Sequence, residues 1–312
     1  MVYVFGPVHS RRLGLSLGVD LIPSKTCTYD CIYCEVGKTN NVVIEPENFA
    51  PCENVLVELK HAIERAVPDT LTLAGSGEPT LYSQIDRVIA FVKSFSDIQV
   101  ALLTNGSLLW KEEVRRRVLQ ADVIMPTLST VFEPTFRRIH QPHKGLNLPE
   151  IIDGLKALRL EYKGSIFLEV VLLAGINDSE KELEGLKRVI GKISPDKIQL
   201  NTVARPPSYP GAVALDRKRL QQIKIFFGEN AEIIAHSSET KGVRKEYDSH
   251  FATIIETVKR RPITAKDISN VLNISPRDTD VLLTRLLNKG LIQTQRHEGV
   301  IYYKKGTDGG TG

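Results

Sequence analysis

From Leu15 to about Ala235, short apolar runs alternate with amphipathic stretches. That rhythm belongs to parallel strands joined by crossover helices: a strand buried on both faces reads as a continuous apolar run, and its return helix carries one apolar stripe. The pattern predicts strands over 15–22, 70–74, 98–103, 122–126, 165–173, 197–201 and 233–234. Between them, 53–66 repeats apolar residues at helical spacing (Val55, Leu56, Leu59, Ala62, Ile63, Ala66). The stretch 179–190 opens with an N-capping Ser179 and has Glu182 three residues later. Alternation of this kind fits a doubly wound sheet or a full or partial β/α barrel, and both place their active-site loops beyond the C-terminal ends of the strands.

The pattern changes after residue 205. Pro206-Pro207-Ser208-Tyr209-Pro210-Gly211 reads as a rigid loop, and 236–248 is polar, charged and without periodicity, as a linker is. Residues 249–306 predict three short helices (251–260, 265–272, 276–289) and then two strands within 291–305 around Glu298-Gly299. That order is a winged helix-turn-helix, with Asn273-Ile274-Ser275 as the turn, Ser275 as N-cap and Pro276 at the first helical position. The expected plan is a large domain over 1–235, a linker over 236–248, a winged helix-turn-helix over 249–306 and a flexible end over 307–312. The fold class expected is α/β with the small winged domain at its C-terminus, and periodicity alone leaves both the doubly wound sheet and the barrel open.

Composition narrows the class of protein. Hydrophobic residues at 42% and charged residues at 25% describe a chain that folds by burial, and its 312 residues suffice for one large domain and a small one. No apolar run approaches the ~18 residues that a membrane span needs, and the N-terminus lacks the features of a secretion signal, so a cytoplasmic protein without membrane attachment is expected. Lys and Arg outnumber Asp and Glu by 41 to 37 overall, and by 12 to 7 within 244–306. The positive excess therefore sits in the tail, where the third helix would present Arg277, Thr279, Asp280, Thr284, Arg285 and Asn288, and the wing Arg296, His297, Lys304 and Lys305. Such a face favours nucleic acid, with Asp278 and Asp280 acting against it.

Three of the four cysteines, Cys27, Cys31 and Cys34, fall within eight residues, and Cys52 stands apart at a helix entry, as a buried free thiol would. Clustered thiols of this kind read as metal ligands rather than disulfide partners. Two metal readings follow. A structural zinc site would need Cys52 or a distant His as a fourth ligand, whereas a 4Fe-4S cluster held by three Cys keeps one iron open to an exogenous ligand.

Cys27-x3-Cys31-x-Tyr33-Cys34 resembles the signature of the radical SAM superfamily. The resemblance implies that Cys27, Cys31 and Cys34 hold a 4Fe-4S cluster whose open iron binds the amino and carboxyl groups of S-adenosylmethionine (SAM), with Tyr33 beside the adenine. It implies that 1–235 is the catalytic domain, folded as a partial (β/α)6 TIM-like barrel, and that SAM is cleaved by one electron to methionine and a 5'-deoxyadenosyl radical that abstracts a substrate hydrogen. A one-electron donor of the flavodoxin or ferredoxin type is then needed. The segment Gly75-Ser76-Gly77-Glu78-Pro79-Thr80 is similar to the family's Gly-Gly-Glu-Pro segment, which receives the SAM amino group; read alone it is a tight βα turn. Thr104 and Asn105 after the third strand, Ser129 after the fourth, Glu169 on the fifth and Asn201 ending the sixth match places where the family sets polar groups near SAM. For Glu169 the other reading is a carboxylate at the core edge paired with an Arg. Asn177-Asp178-Ser179 reads as helix capping.

Phe5-Gly6-Pro7-Val8, Ser10-Arg11-Arg12-Leu13-Gly14 and Ser16-Leu17-Gly18 resemble the wyosine-synthetase-like iron-sulfur oxidoreductases within that superfamily. The resemblance covers about residues 4–210, and the best-known activity of that grouping acts on tRNA. Candidate substrate groups are Arg137, Arg138, His140 and His143, together with Arg205, read as lying in loops after strands. Two functions from different classes follow: a SAM-cleaving enzyme acting on a large substrate such as tRNA, or an iron-sulfur transcriptional regulator that binds DNA through the winged helix.

Overall fold

The computed structural model describes residues 3–10, 12–66, 68–235, 250–251, 254–255, 257–258, 262–272, 274–297 and 300–306. The expected linker over 236–248, the wing tip Glu298-Gly299 and the end at 307–312 lie outside the described residues. The chain divides into two compact units, Met1–Lys60 with Pro68–Ser237, and His61–Val67 with Ser238–Gly312.

The larger unit is an α/β fold around a mostly parallel eight-stranded sheet. Its strands are β1 (Val4–Ser10), β2 (Gly14–Val19), β5 (Thr70–Leu73), β6 (Gln99–Thr104), β7 (Val123–Pro126), β8 (Ser165–Leu172), β9 (Lys197–Thr202) and β10 (Ala231–Ile233), in that spatial order. A small parallel pair, β3 (Thr26–Cys27) and β4 (Asn41–Val42), stands beside it. All seven predicted strands form. The first ends at Val19 rather than residue 22, and β1 adds an antiparallel edge. Gly6-Pro7 hides β1 from periodicity, because a proline cannot donate to a ladder and is tolerated only at an edge or a bulge. Here the register with β2 shifts between Phe5 and Val8.

The interior strands are buried on both faces, as a parallel sheet covered by helices requires. Leu17 faces Leu71 and Leu102 faces Ile124 across neighbouring strands, and all four are at most 2% exposed. Burial of each such side chain stabilises the fold by roughly 1.5–3 kcal/mol. Connecting helices include α1 (Cys52–Ala66), α2 (Ile85–Phe95), α3 (Glu112–Val118), α4 (Glu133–His140), α5 (Leu148–Glu161), α6 (Glu180–Ile193) and α7 (Arg217–Phe227). The expected cap on α6 forms, with Glu182 N–H donating to Ser179 Oγ at 3.4 Å.

At the N-terminal edge of the sheet one clasp is used three times. Asp69, Asp122 and Asp196 each stand one residue before a strand. The carboxylate accepts the backbone N–H of a residue on the neighbouring strand: Leu15 at 2.8 Å, Val100 at 2.7 Å and Ile166 at 2.8 Å. The aspartate's own N–H returns a bond to the carbonyl of that same residue at 2.8–2.9 Å. Strand starts that would leave polar backbone unpaired are thereby closed.

In the smaller unit, helices Ala265–Leu272 and Pro276–Asn288 precede an antiparallel hairpin of Ile292–His297 and Val300–Lys305. Ile254, Val258, Ile268, Leu282, Leu286 and Ile292 build its core, and Ser275 caps the second helix by accepting from Asp278 N–H at 3.1 Å. Thr279, expected on the presented face, turns inward: it is 1% exposed and its hydroxyl donates to the Ser275 carbonyl. Arg277, Asp278, Asp280 and Asn288 are exposed, and Thr284 and Arg285 are half-buried.

Candidate functional site

Loops after β2, β5, β6, β7, β8 and β9 meet at the C-terminal edge of the sheet. The cysteine loop is fixed at several points. Pairing of β3 with β4 closes its base, and the N–H groups of Asp30 and Ile32 donate to the carbonyls of His140 and Ile139 at 3.0 and 2.9 Å. Ile32 is packed among Ile139, Val171, Leu173 and Ala212. From the loop after β9, Ser208 Oγ donates to the Cys34 carbonyl at 2.9 Å and Tyr209 OH to Asp30 Oδ2 at 2.6 Å.

The glycines of the second loop serve close approach. A Cβ on Gly77 would lie 1.8 Å from the Thr26 carbonyl oxygen, and one on Gly75 about 2.2 Å from the Asp20 carboxyl carbon. Only glycine lets this loop lie against the base of the cysteine loop. Glu78 is 2% exposed and accepts four hydrogen bonds. Three reach Oε1, from Thr80 N–H (3.1 Å), Thr80 Oγ1 (2.6 Å) and Thr104 Oγ1 (2.6 Å), and one reaches Oε2, from Asn105 N–H (2.7 Å). Burial pushes its acidity constant up while these donors pull it back. Pro79 is buried and opens the short 3-10 turn that Glu78 caps.

Asn105 joins this loop to the cysteines: its Nδ2 donates to Thr28 Oγ1 at 2.7 Å and stands 3.6 Å from Cys27 Sγ. On the next strands Glu169 Oε2 accepts from Thr127 Oγ1 (3.2 Å), and its Oε1 from Asn201 Nδ2 (2.9 Å). Arg12 also pairs with Glu169 at 3.4 Å, so the arginine partner that the sequence allowed for this carboxylate is present. Ser129 is fully buried, its hydroxyl accepting from Val171 N–H at 3.1 Å.

Two expectations are corrected. Phe136–His140 is not a loop but the second half of α4, which ends where Gln141 takes φ 42° before Pro142. His140 is 3% exposed and lies 3.3 Å from Cys31 Sγ through Nδ1, so it faces the cysteine loop rather than an open surface. Asn177 is not a cap: fully buried, it accepts from Leu173 N–H and donates to the carbonyls of Ser129 and Val171, tying β8 to the loop after β7. Arg137 and Arg138 are exposed on α4, Arg137 bonding Glu133 and the Leu146 carbonyl. His143 is half-buried and accepts from Gly145 N–H at 3.1 Å, while Arg205 is 67% exposed and pairs with Glu35 at 3.0 Å. Sequence reading passed over Thr28, Asp30, Ser208 and Tyr209. The Pro-rich setting of Ser208 and Tyr209 was the signal for a rigid strap, but not for what it holds.

The three thiols are half-buried. Burial, then Glu78 and the neighbouring Cys34, push Cys27 up to about 12; burial, then Cys27 and Cys34, push Cys31 well up. Mutually repelling sulfurs in a desolvated place are poor thiolates by themselves, and iron supplies the positive charge that offsets this. Among the described residues no three His, Cys, Asp or Glu side chains are grouped to hold one metal ion. Three thiols on one short loop are the kind of donor set that a 4Fe-4S cluster with one open iron takes.

The radical SAM superfamily signature matches residues 21–186. The chain is 32% identical over 313 residues to the UPF0026 protein MJ1312 of Methanocaldococcus jannaschii, which covers 98% of this chain and 96% of that protein. It is 38% identical over 305 residues to a protein named GTPase Obg of Brachyspira hyodysenteriae, where the match spans 96% of this chain but only 45% of that relative. Among solved structures, TYW1 with a lysine-pyruvate adduct superposes with a TM-score of 0.51 at 18% identity, over 69% of this chain and 74% of that one, a likeness of fold. Among the described residues, no helix is long and apolar enough to cross a membrane.

Proposed function

From the premise that this chain belongs to the radical SAM superfamily, and is an iron-sulfur enzyme using a 4Fe-4S cluster and SAM, we propose that Cys27, Cys31 and Cys34 hold the cluster. The observation that carries this reading is the packing of Gly77 against the base of the loop bearing those three thiols, with Glu78 joined to that loop through Asn105. When bound, cluster and SAM supply one-electron cleavage to methionine and a 5'-deoxyadenosyl radical that takes a hydrogen atom from the substrate. The protein's part is to position, shield and orient.

Among the described residues Glu78 Oε2 accepts one hydrogen bond, which leaves lone-pair capacity for the ammonium of SAM, with Gly75, Gly77 and Pro79 shaping the approach. Tyr33 is assigned to the adenine side. Thr104 and Asn105 anchor Glu78, and Glu169 with Asn201 offers polar groups toward the ribose. Ser129 supports that wall from behind. The larger unit is read as a partial (β/α)6 barrel over 1–235 with added edge strands, and 249–306 as a winged helix-turn-helix joined by the linker 236–248. The basic surplus of that tail supports nucleic acid, tRNA included, as substrate, with Arg137, Arg138, His143 and Arg205 as candidate contacts. Electrons come from a flavodoxin- or ferredoxin-type donor.

Full-length protein, reconstituted anaerobically with iron and sulfide and reduced with dithionite, is expected to convert SAM to 5'-deoxyadenosine and methionine. Cys27→Ala, Cys31→Ala and Cys34→Ala each abolish both iron retention and product, read by metal analysis and mass spectrometry. A brown, cluster-loaded wild type that never cleaves SAM overturns the reading. For the tail, Arg296→Glu with Lys305→Glu weakens tRNA binding and flattens its salt dependence. Unchanged tRNA affinity removes that role, and specific binding of duplex DNA instead favours a regulator.

A further inference from the structure

We propose that His140 is a positioning residue that tunes the metal centre: its imidazole donates an Nδ1–H hydrogen bond to the sulfur of Cys31 and raises the reduction potential of the cluster held there. The inference rests on the reading of Cys31 as a cluster ligand.

The geometry gives the ring one place. Nδ1 lies 3.3 Å from Cys31 Sγ, and the side chain is 3% exposed. Tyr29, Phe136 and Tyr33 surround it with ring centroids at 5.0, 5.4 and 5.8 Å. The backbone is held as well, since the His140 carbonyl accepts from Asp30 N–H at 3.0 Å, only one residue from Cys31. An imidazole carries at least one N–H in either of its charge states. With sulfur as the acceptor, that N–H belongs on Nδ1.

The direction of the effect follows from charge. The cluster passes from [4Fe-4S]2+ to [4Fe-4S]+ by taking one electron from a flavodoxin- or ferredoxin-class donor, or from dithionite in the assay; no bond breaks and no proton moves. The added negative charge is shared with the thiolate sulfurs, so a donor on Cys31 binds the reduced state more strongly than the oxidised one. Asn105 Nδ2, at 3.6 Å from Cys27 Sγ, is a longer contact of the same kind, and the Tyr33 side chain also bonds Cys31, so His140 shares that sulfur with a hydroxyl.

The test is a redox titration of the reconstituted full chain, followed by electron paramagnetic resonance. His140→Leu keeps the volume and removes the donor; it is expected to keep its iron and sulfide content and to disfavour reduction about tenfold, a midpoint about 59 mV lower for one electron. His140→Asn places an amide nitrogen at the same branch point and restores most of the loss. Labelling wild-type protein with 15N-histidine gives a reading that needs no variant: one imidazole nitrogen couples to the reduced cluster in pulsed experiments. Equal midpoints in fully loaded wild type and His140→Leu overturn the inference, and so does the absence of any 15N coupling. Wild type that cannot hold a cluster overturns instead the ligand assignment beneath it.

Discussion

The two edges of one sheet use the same bond for opposite ends. At the N-terminal edge Asp69, Asp122 and Asp196 accept backbone N–H groups and close strand starts, each by a two-bond clasp that repeats from one strand pair to the next. Toward the C-terminal edge carboxylates again accept N–H and O–H donors, but Glu78, Asp20 and Asp30 bind loops to loops, Glu169 on β8 joins Asn201 on β9 to Thr127 after β7, and no two do so alike. Regular use of a carboxylate marks scaffold, and irregular use marks the site. The lesson is that burial and hydrogen bonding alone do not distinguish a functional carboxylate; what its partners belong to does.

Four experiments bear on that contrast. Gly77→Ala has the largest expected effect: its methyl group collides with the Thr26 carbonyl, and a displacement near 1 Å lowers SAM cleavage about a hundredfold. Single-turnover formation of 5'-deoxyadenosine measures it, and unchanged turnover breaks the argument that this edge is built to tolerance. Glu78→Gln comes next. An amide replaces one acceptor oxygen among four donors, so unfolding is easier by about 1–3 kcal/mol and the KM for SAM rises. Stability lost without a change in KM would put Glu78 with the scaffold carboxylates.

Asp122→Ala provides the opposite case. It strands Val100 N–H at a cost of about 1–3 kcal/mol in denaturant unfolding, with kcat and KM of the surviving folded enzyme unchanged. A loss of kcat in folded protein would erase the distinction between the edges. The smallest effect is expected where a carboxylate pairs with a side chain instead of backbone: the Arg115 guanidinium holds Glu161 below the usual carboxylate range. A depressed acid stabilises the fold above its unfolded value and loses that contribution as pH falls through the folded one. The Tm gap between wild type and Glu161→Gln, which leaves the bonds of Arg115 to the Leu109 and Trp110 carbonyls in place, should therefore be present at neutral pH and close on acidification through the carboxylate range.

How far the sequence carried depended on what each residue touched. All seven strands were readable because parallel strands are apolar on both faces, and Ser179 and Ser275 declared their caps by local spacing. Cys27, Cys31 and Cys34 stand out by spacing along the chain, whereas Gly75–Pro79, read alone a tight turn, stands out only by its resemblance to a family segment. What stayed hidden was contact across long separations. Tyr209 meets Asp30 across 179 residues, and nothing local to either announces it. His140 looked like a surface group beside two exposed arginines, yet the 3.6-residue turn of α4 places it inward with Phe136 and Ile139 while Arg137 and Arg138 face out. Asn177 resembled a cap because Asn caps helices often, and its burial came from tertiary structure alone.

The strap formed by Ser208 and Tyr209 sets an order of events during biosynthesis. A growing chain has emitted its cysteines long before it reaches residue 209, and until then Cys34 and Asp30 lack these two partners. The loop bearing the three thiols therefore gains these two anchors only when most of the large unit has been synthesised.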